Sequence, residues 1–416
     1  MNLHEQKTAK LRALTPIFIG NGESIKPFSY LLDGNTVHVI DEDKFFAQLS
    51  SKEQELYQTW TESIIYPLDH LNDEINKASE DFDKRRQLIR KRREIEAKFS
   101  LWNFIANILK TRPLPFVNKC EAYAAKCNVP PEQDGFRLCM KDIAQRLYVP
   151  GTEIKGALRT AMLYALVSDS KNYPWLRDKI SEISSLFKSK TPKWKTIRNF
   201  ERIASNIEAR MLRGEKEGLI KDDAKFDFLR MIYVSDSTSL DPNSLRIELT
   251  QMIGTRRYTK TWVETISSNS EVSVRIGIGN PAKILKELGL ERFHEWISFP
   301  KLLEACYIRS KDILEEEARF FVNELRLKAL ISQLQRENKP DAPVLRIGQG
   351  QGFLGVTINL SVKKRDQNLY DEVIRKGVTL QRRWRTEANN FPKTRRVITN
   401  QGGAPTSLLG WGKIML

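Results

Sequence analysis

Cysteine and histidine are both scarce in this chain: four of each in 416 residues. So few thiols in so long a chain point to reduced cysteines in a cytoplasm rather than to a disulfide framework. Cys120, Cys127 and Cys139 are too widely spaced for a CxxC knuckle, with no histidine among them. His4, His38, His70 and His294 show no pairing at metal-ligand spacing. No metal and no cofactor are therefore expected. No run of about 18 apolar residues occurs, which excludes a membrane-spanning helix. The opening Met-Asn-Leu-His-Glu-Gln-Lys has no apolar stretch of the kind a secretory signal needs, so a cytoplasmic location is expected. Low-complexity segments and short-period repeats are absent.

Acidic residues are also in deficit. Lys and Arg number 68 against 52 Asp and Glu, a net charge of +16 with a pI near 9.5. An excess of this size fits a polyanionic partner, either nucleic acid or an anionic surface. Hydrophobic residues make up 40% of the chain, enough for a sizeable core in two or three domains.

The chain is organised around Tyr148-Val-Pro-Gly-Thr-Glu-Ile-Lys-Gly-Ala-Leu-Arg-Thr-Ala-Met-Leu-Tyr164. Pro150 and Gly151 read as a turn, Thr152 as an N-cap and Glu153 to Val167 as a helix. Ile154, Ala157, Leu158, Ala161 and Tyr164 recur at helical spacing and face a core. Lys155 and Arg159 lie one turn apart and read as exposed. With the free N–H groups of the first turn and the helix dipole they make an anion site. Gly156 lets a ligand come close to the backbone. An ordinary capped helix with two solvated cations fits the same residues.

Before this stretch, Ile17-Phe-Ile19 reads as a short strand ending in Gly20-Asn-Gly22. Tyr30 to Ile40 reads as a hairpin with an Asp33-Gly-Asn turn. His38 on that hairpin fits a structural role better than a catalytic one, and Asp33, Asp41 and Asp43 fit turn and cap positions. Residues 51–110 carry apolar positions three, four or seven apart, the pattern of a long helical insertion or helical hairpin. Inside it, Lys84 to Lys98 holds eight basic and two acidic residues. That run is either a nucleic-acid-facing helix or the solvated face of an insertion.

After it, Phe136 to Met140 reads as a strand, 171–225 as helical and Phe228 to Asp236 as a strand. A second α+β unit begins near residue 240, with strands at Leu245–Leu249 and Glu271–Ile278 and helices over 281–297 and 311–338. A loose duplication is visible, each half offering strand, Gly-rich turn, helix and strand. From residue 341 onward, 13 basic residues face 5 acidic ones.

Gly350-Gln-Gly-Phe-Leu-Gly355 satisfies G-x-G-x-x-G, but Val356 to Leu360 reads as a strand where a dinucleotide fingerprint needs a helix. The loop instead suits close passage of a phosphate chain, with Arg346 and Lys363-Lys-Arg365 nearby. Gly151 to Gly156 has Walker-A spacing without the following Lys-Ser/Thr. Arg382-Arg-Trp-Arg385 and Lys393-Thr-Arg-Arg396 place basic groups beside aromatic ones, a mixture that suits single-stranded RNA.

Four stretches carry a resemblance. Val149-Pro-Gly-Thr-Glu-Ile-Lys-Gly-Ala-Leu-Arg-Thr-Ala161 resembles the I-P-G-S-S-[IL]-K-G-A-[IL]-R-T-A signature of the RAMP superfamily of CRISPR effector complexes. Leu14-Thr-Pro-Ile-Phe-Ile-Gly-Asn-Gly-Glu23, Arg346-Ile-Gly-Gln-Gly-Gln-Gly-Phe-Leu-Gly355, and Phe391-Pro-Lys-Thr-Arg-Arg396 followed by Leu409-Gly-Trp-Gly-Lys413 are more narrowly similar to the fifth Csm subunits of type III-A complexes. The segment Phe228 to Asp236 resembles the family's D-P-F-R-x-L-x-V-S-D, with Phe226-Asp-Phe-Leu departing from its first part.

The resemblance implies an α+β fold of two tandem RRM-like (ferredoxin-like) domains with helical insertions. These would be residues 1–238, with the insertion around 51–110, and residues 239–416, with the glycine-rich loop and the basic C-terminal segment. It implies a non-catalytic subunit that holds the 3′ part of a CRISPR RNA, meets target RNA in the assembled complex and caps the backbone filament. The neighbours would be the backbone RAMP subunit and the small helical subunit. The RNA-contacting residues would be Gly20, Gly22, Gly151, Lys155, Gly156, Arg159, Arg256, Arg257, Arg346, Gly348, Gly350, Gly352, Lys393, Arg395 and Arg396. A CRISPR RNA-processing endoribonuclease of the same superfamily is the alternative, with His38 as its histidine.

Overall fold

The computed structural model describes residues 3–78, 81–132, 134–188, 193–213, 215–216, 219–220, 223–254, 259–279, 285–286, 289–377 and 391–416. Strands are numbered along the chain. The first sheet holds β1 (Leu3–Ala13), β9 (Ile232–Val234), β12 (Glu271–Gly279), β13 (Val344–Arg346) and β16 (Trp411–Met415). Its order is β13-β16-β1-β12-β9, antiparallel throughout. The helix Gly151–Ser168 lies on the path from β1 to β9, and the helix Phe299–Phe320 on the path from β12 to β16. The two helices pack together, and the Tyr164 hydroxyl donates to Asp312 at 2.6 Å across the contact.

The second sheet is built from β2 (Gly20–Ile25), β3 (Tyr30–Asp33), β4 (Thr36–Ile40), β5 (Glu121–Cys127), β6 (Phe136–Cys139), β10 (Leu245–Ile253) and β11 (Lys260–Ile266), in the order β2-β6-β11-β10-β5-β4-β3. Two further strands extend it: β14 (Arg395–Thr399) pairs with β10, and β15 (Pro405–Ser407) with β14. β7 (Glu215–Lys216) and β8 (Leu219–Ile220) form a separate small hairpin. Both sheets take strands from either side of residue 238, so the boundary at 238/239 does not separate them.

The β3–β4 hairpin forms as expected, with Gly34 at positive φ and Asp41 capping the next helix through the Lys44 N–H. The 51–110 insertion is a helical hairpin of Ser51–Lys77 and Phe82–Glu96. Ser50 and Glu53 close a capping box at its start. A separate aromatic cluster anchors its base, where Phe45, Phe104 and Val117 are buried against Tyr57 and Trp60. All four cysteines are buried and unpaired. Among the described residues no helix is long and apolar enough to cross a membrane.

Several expectations need correction. Ile17 to Ile19 is not a regular strand; Ile17 makes one bridge to Ile266, and the strand there begins at Gly20. Phe228–Met231 is a 3-10 turn that leads into the short β9. The helix placed over 311–338 is two helices, Phe299–Phe320 and Leu325–Glu337. Val356 to Leu360 is not a strand. Asn359–Arg365 is helical, and the Thr357 Oγ1 accepts from the Asn359 N–H and donates to Phe353 O.

Candidate RNA interface

The first sheet brings the motif segments to one of its ends. Ala13 pairs with Gly412, Arg12 with Glu271 and Arg346 with Trp411. The C-terminal end of β1, the start of β12, the end of β13 and the start of β16 therefore lie side by side. Beyond β9, Ser235 and Thr238 run along the same end of β12, their N–H groups donating to Arg275 O and Ser273 O. The segments leaving this end are 14–19 with the irregular start of β2, 235–238, 347–351 and 408–410. They are stitched together by Ile347 N–H to Gly410 O at 2.7 Å, Gly410 N–H to Pro16 O at 2.8 Å and Gln349 N–H to Phe18 O at 2.9 Å.

The organising helix starts here, two residues earlier than expected and without a Thr152 cap, since Pro150 is its N-cap residue. The anion site expected at its first turn is partly filled from within the chain. The Gly151 N–H donates to Asp236 at 2.8 Å. A Cβ on Gly151 would lie 2.5 Å from Val234 O and 2.6 Å from Ser235 O, so this glycine serves helix-to-strand packing rather than RNA approach.

Arg159 is likewise committed: it reaches Glu208 at 2.8 Å and Asp227 at 3.0 Å, tying the helix Lys193–Leu212 and the 228–231 turn to the organising helix. It is not the exposed cation the sequence suggested. Lys155 is half-buried and has no carboxylate within 4 Å among the described residues. Burial holds its pKa below the usual lysine range, partly offset by the Asp227 charge.

The candidate glycines divide by what a side chain would meet. Around Gly22, Gly156 and Gly352 a Cβ finds open space. At Gly20 it would crowd the Phe18 ring at 2.9 Å, at Gly348 the Phe18 carbonyl at 2.2 Å and at Gly350 the Leu409 side chain at 3.2 Å. The first three leave room for a phosphate chain; Gly348 is required by packing against backbone, whereas at Gly20 and Gly350 only side chains stand in the way.

Arg346 does not face solvent. Only 1% of its side chain is exposed; it lies 3.6 Å from Glu317, over the Trp411 ring, and donates to Gly350 O at 2.7 Å. Arg309, also buried, donates to Gly355 O. These two arginines set the glycine-rich loop from inside. Arg395 is a second buried partner of Glu317, at 2.5 Å, and is likewise withdrawn from RNA.

Among the described residues, part of the basic C-terminal segment is neutralised by the protein itself. Lys363 pairs with Glu316, Lys364 with Asp312 and Glu315, and Lys413 with Glu337. Arg365 donates to Ser168 O. Lys393 stays exposed. Arg396 is half-buried, donates to Thr250 at 3.0 Å, and burial and nearby Arg137 lower its pKa. Arg256 and Arg257, and the cluster Arg382 to Arg385, lie outside the described residues.

Acid–base groups are tied up as well. His38 Nδ1 is 2.5 Å from Glu121, across the β4–β5 pair. Glu264 is fully buried and accepts from Tyr123, Lys141 and the Cys139 N–H at 2.7, 2.7 and 2.8 Å. Sequence reasoning missed Asp236 and Glu317. Glu317 was legible in principle, because it continues the stripe of Ser310, Ile313, Leu314 and Phe321, which marks it as an inward-facing carboxylate.

Three comparisons bear on this geometry. The sequence model of the RAMP superfamily (RAMPs) matches residues 10–348. The Csm5 protein of the CRISPR system of Methanocaldococcus jannaschii is 26% identical over 437 aligned positions, taking in 98% of this chain and 88% of the relative. Among solved structures, a chain of a type III-A Csm–crRNA–target RNA ternary complex superposes with a TM-score of 0.66 at 20% identity. Csm5 of T. onnurineus superposes with a TM-score of 0.58 at 19% identity. Each alignment covers 98% of this chain and 100% of the other. The resemblance carried by the four motifs is borne out.

Proposed function

We propose, from the premise that this chain belongs to the RAMP superfamily, that it is a non-catalytic RNA-binding subunit of a type III-A Csm interference complex. It holds the 3′ part of the guide RNA and caps the backbone filament. In this reading it contacts the backbone RAMP subunit, the small helical subunit and, in the assembled complex, target RNA. The path β1–helix–β9–β12–helix–β16, in spatial order β16-β1-β12-β9, supports one RRM-like unit. The division we favour is therefore by sheet rather than at residue 238.

The observation that carries the RNA reading is the gathering of motif loops from distant parts of the chain at one end of the first sheet. There Gly22, Gly156 and Gly352 offer open backbone, and Lys155 keeps a charge without an ion-pair partner among the described residues. Phosphate contacts of this kind position an RNA without reading its sequence.

Lys155→Ala should weaken guide-RNA binding equally for all sequences and lower the slope of log affinity against log salt by about 0.7 for the phosphate released. Thermal unfolding should stay near that of the wild type. An unchanged affinity and slope in a folded variant would remove the helix from the RNA seat.

The endoribonuclease alternative has His38 as its only suggested base, and Glu121 already holds that ring. Purified protein incubated with repeat RNA, with and without divalent metal, should yield no cleavage. Cleavage that vanishes in His38→Ala would reverse the assignment.

A further inference from the structure

The helix Phe82–Glu96 has no buried residue. Leu88, Ile89, Arg92, Ile95 and Glu96 are its half-buried positions, and Arg92 reaches back to Asn72 on the partner helix of the hairpin. Arg86, Arg90 and Arg93, spaced by four and then three residues, share another, exposed face. Two intrahelical pairs, Arg90–Glu94 and Arg92–Glu96, are the only carboxylate contacts of this helix's cations within 4 Å among the described residues. In the C-terminal segment, by contrast, Arg346, Lys363, Lys364 and Arg395 are matched by acids on the helix Phe299–Phe320.

The stripe Arg86–Arg90–Arg93 leads to Ala97, and Arg93 and Ala97 both line a cleft of about 630 Å³ between the hairpin base and β3. Tyr30, Leu32 and Trp102 give that cleft an apolar wall, with Trp102 50% exposed. Glu96, Glu132 and Asp134 line it too; Glu96 pairs with Arg92 and Glu132 with Lys260.

We propose that the hairpin is a second RNA-binding surface for single-stranded RNA, with phosphates along Arg86, Arg90 and Arg93 and a base stacked on Trp102 in the cleft. The charges orient the strand. The arginine stripe attracts phosphate, and the cleft carboxylates repel it and accept hydrogen bonds from base amino groups. The base therefore enters the cleft and the backbone stays on the helix, the combination of cationic track and aromatic platform that single strands use. The proposal rests on the RNA-binding reading above but uses none of the residues at the sheet end.

The test uses the full-length protein and single-stranded RNA across a salt series. Arg86→Glu, Arg90→Glu and Arg93→Glu together should lower affinity at least tenfold and reduce the salt slope by about 2, at roughly 0.7 per phosphate. Trp102→Ala should weaken single-stranded binding about tenfold, with little change for a duplex of the same length, because only the single strand offers an unstacked base. Unfolding temperature and circular dichroism should match the wild type. Wild-type affinity and slope in both variants would overturn the proposal while leaving the sheet-end reading in place; failure of the wild type to bind RNA would overturn both. If the triple variant loses only binding to phosphatidylserine vesicles, the stripe serves a membrane surface and the proposal is wrong.

Discussion

Glu317→Gln is expected to destabilise the protein by about 3–5 kcal/mol, the usual result of stripping one partner from a buried ion pair. Only 4% of the Glu317 side chain is exposed, and the same is true of Arg395, at 2.5 Å. Arg346, 3.6 Å away on the other side, is 1% exposed. Burial already pushes the Arg346 pKa down, and the Glu317 charge opposes that push. Glutamine keeps the shape and removes the charge, leaving two buried guanidinium groups with no carboxylate within 4 Å among the described residues. The loss should reach the glycine-rich loop, since Arg346 holds Gly350 O.

Glu315→Gln on the same helix is the control. Its partner Lys364 is about a third exposed, as is Glu315 itself, so the pair is worth at most about 1 kcal/mol. Unfolding midpoints in denaturant for the two variants decide the matter. Equal shifts would mean that the buried triad is not an energetic keystone of this end of the fold.

Pairing of this kind accounts for part of the C-terminal charge. Thirteen basic residues in the last 76 look like a nucleic-acid surface when counted along the chain. Five of them, Arg346, Lys363, Lys364, Arg395 and Lys413, meet Asp312, Glu315, Glu316, Glu317 and Glu337, which precede them in sequence on two other helices. A charge count sees sign but not distance. Arg159 was misjudged for the same reason, its carboxylates lying 49 and 68 residues away in sequence.

The run Val356-Thr-Ile358 has the β-branched composition of a strand, yet burial of the consecutive Leu360, Ser361 and Val362 in the helix that follows and the Thr357 hydroxyl bonds override that local preference. A helix therefore does follow the glycine-rich loop, against the sequence-based ground for excluding a dinucleotide site. What separates this loop from such a site is that its backbone is bonded to Phe18, Gly410 and Arg346. The β3–β4 hairpin, the helical insertion and the four motif segments were legible because each depends on local periodicity or turn chemistry. How the motifs meet was not, because it depends on the register of strands 400 residues apart.

Gly348 and Gly156 should respond in opposite directions, which separates a glycine kept for packing from one kept for a ligand. Gly348 has φ +69°, and an added Cβ would stand 2.2 Å from Phe18 O, a backbone atom that cannot swing aside. Gly348→Ala must shift the loop and break the Gln349 N–H bond to Phe18 O, at a cost of about 2–3 kcal/mol. RNA affinity should fall with it, because the sheet-end loops lose their common anchor.

Gly156 lies inside a helix with nothing within 4 Å of the added Cβ. Gly156→Leu should raise stability by up to about 0.8 kcal/mol, from the better helix propensity of leucine. Guide-RNA affinity should nevertheless drop tenfold or more, because the side chain occupies the space a phosphate chain would use. Unfolding midpoint and RNA affinity measured on both variants give the two signs. A Gly156→Leu protein that is more stable and binds RNA as well as the wild type would show that the strand does not pass over this face of the helix, and the exposed arginine stripe of the hairpin would become the principal seat to test.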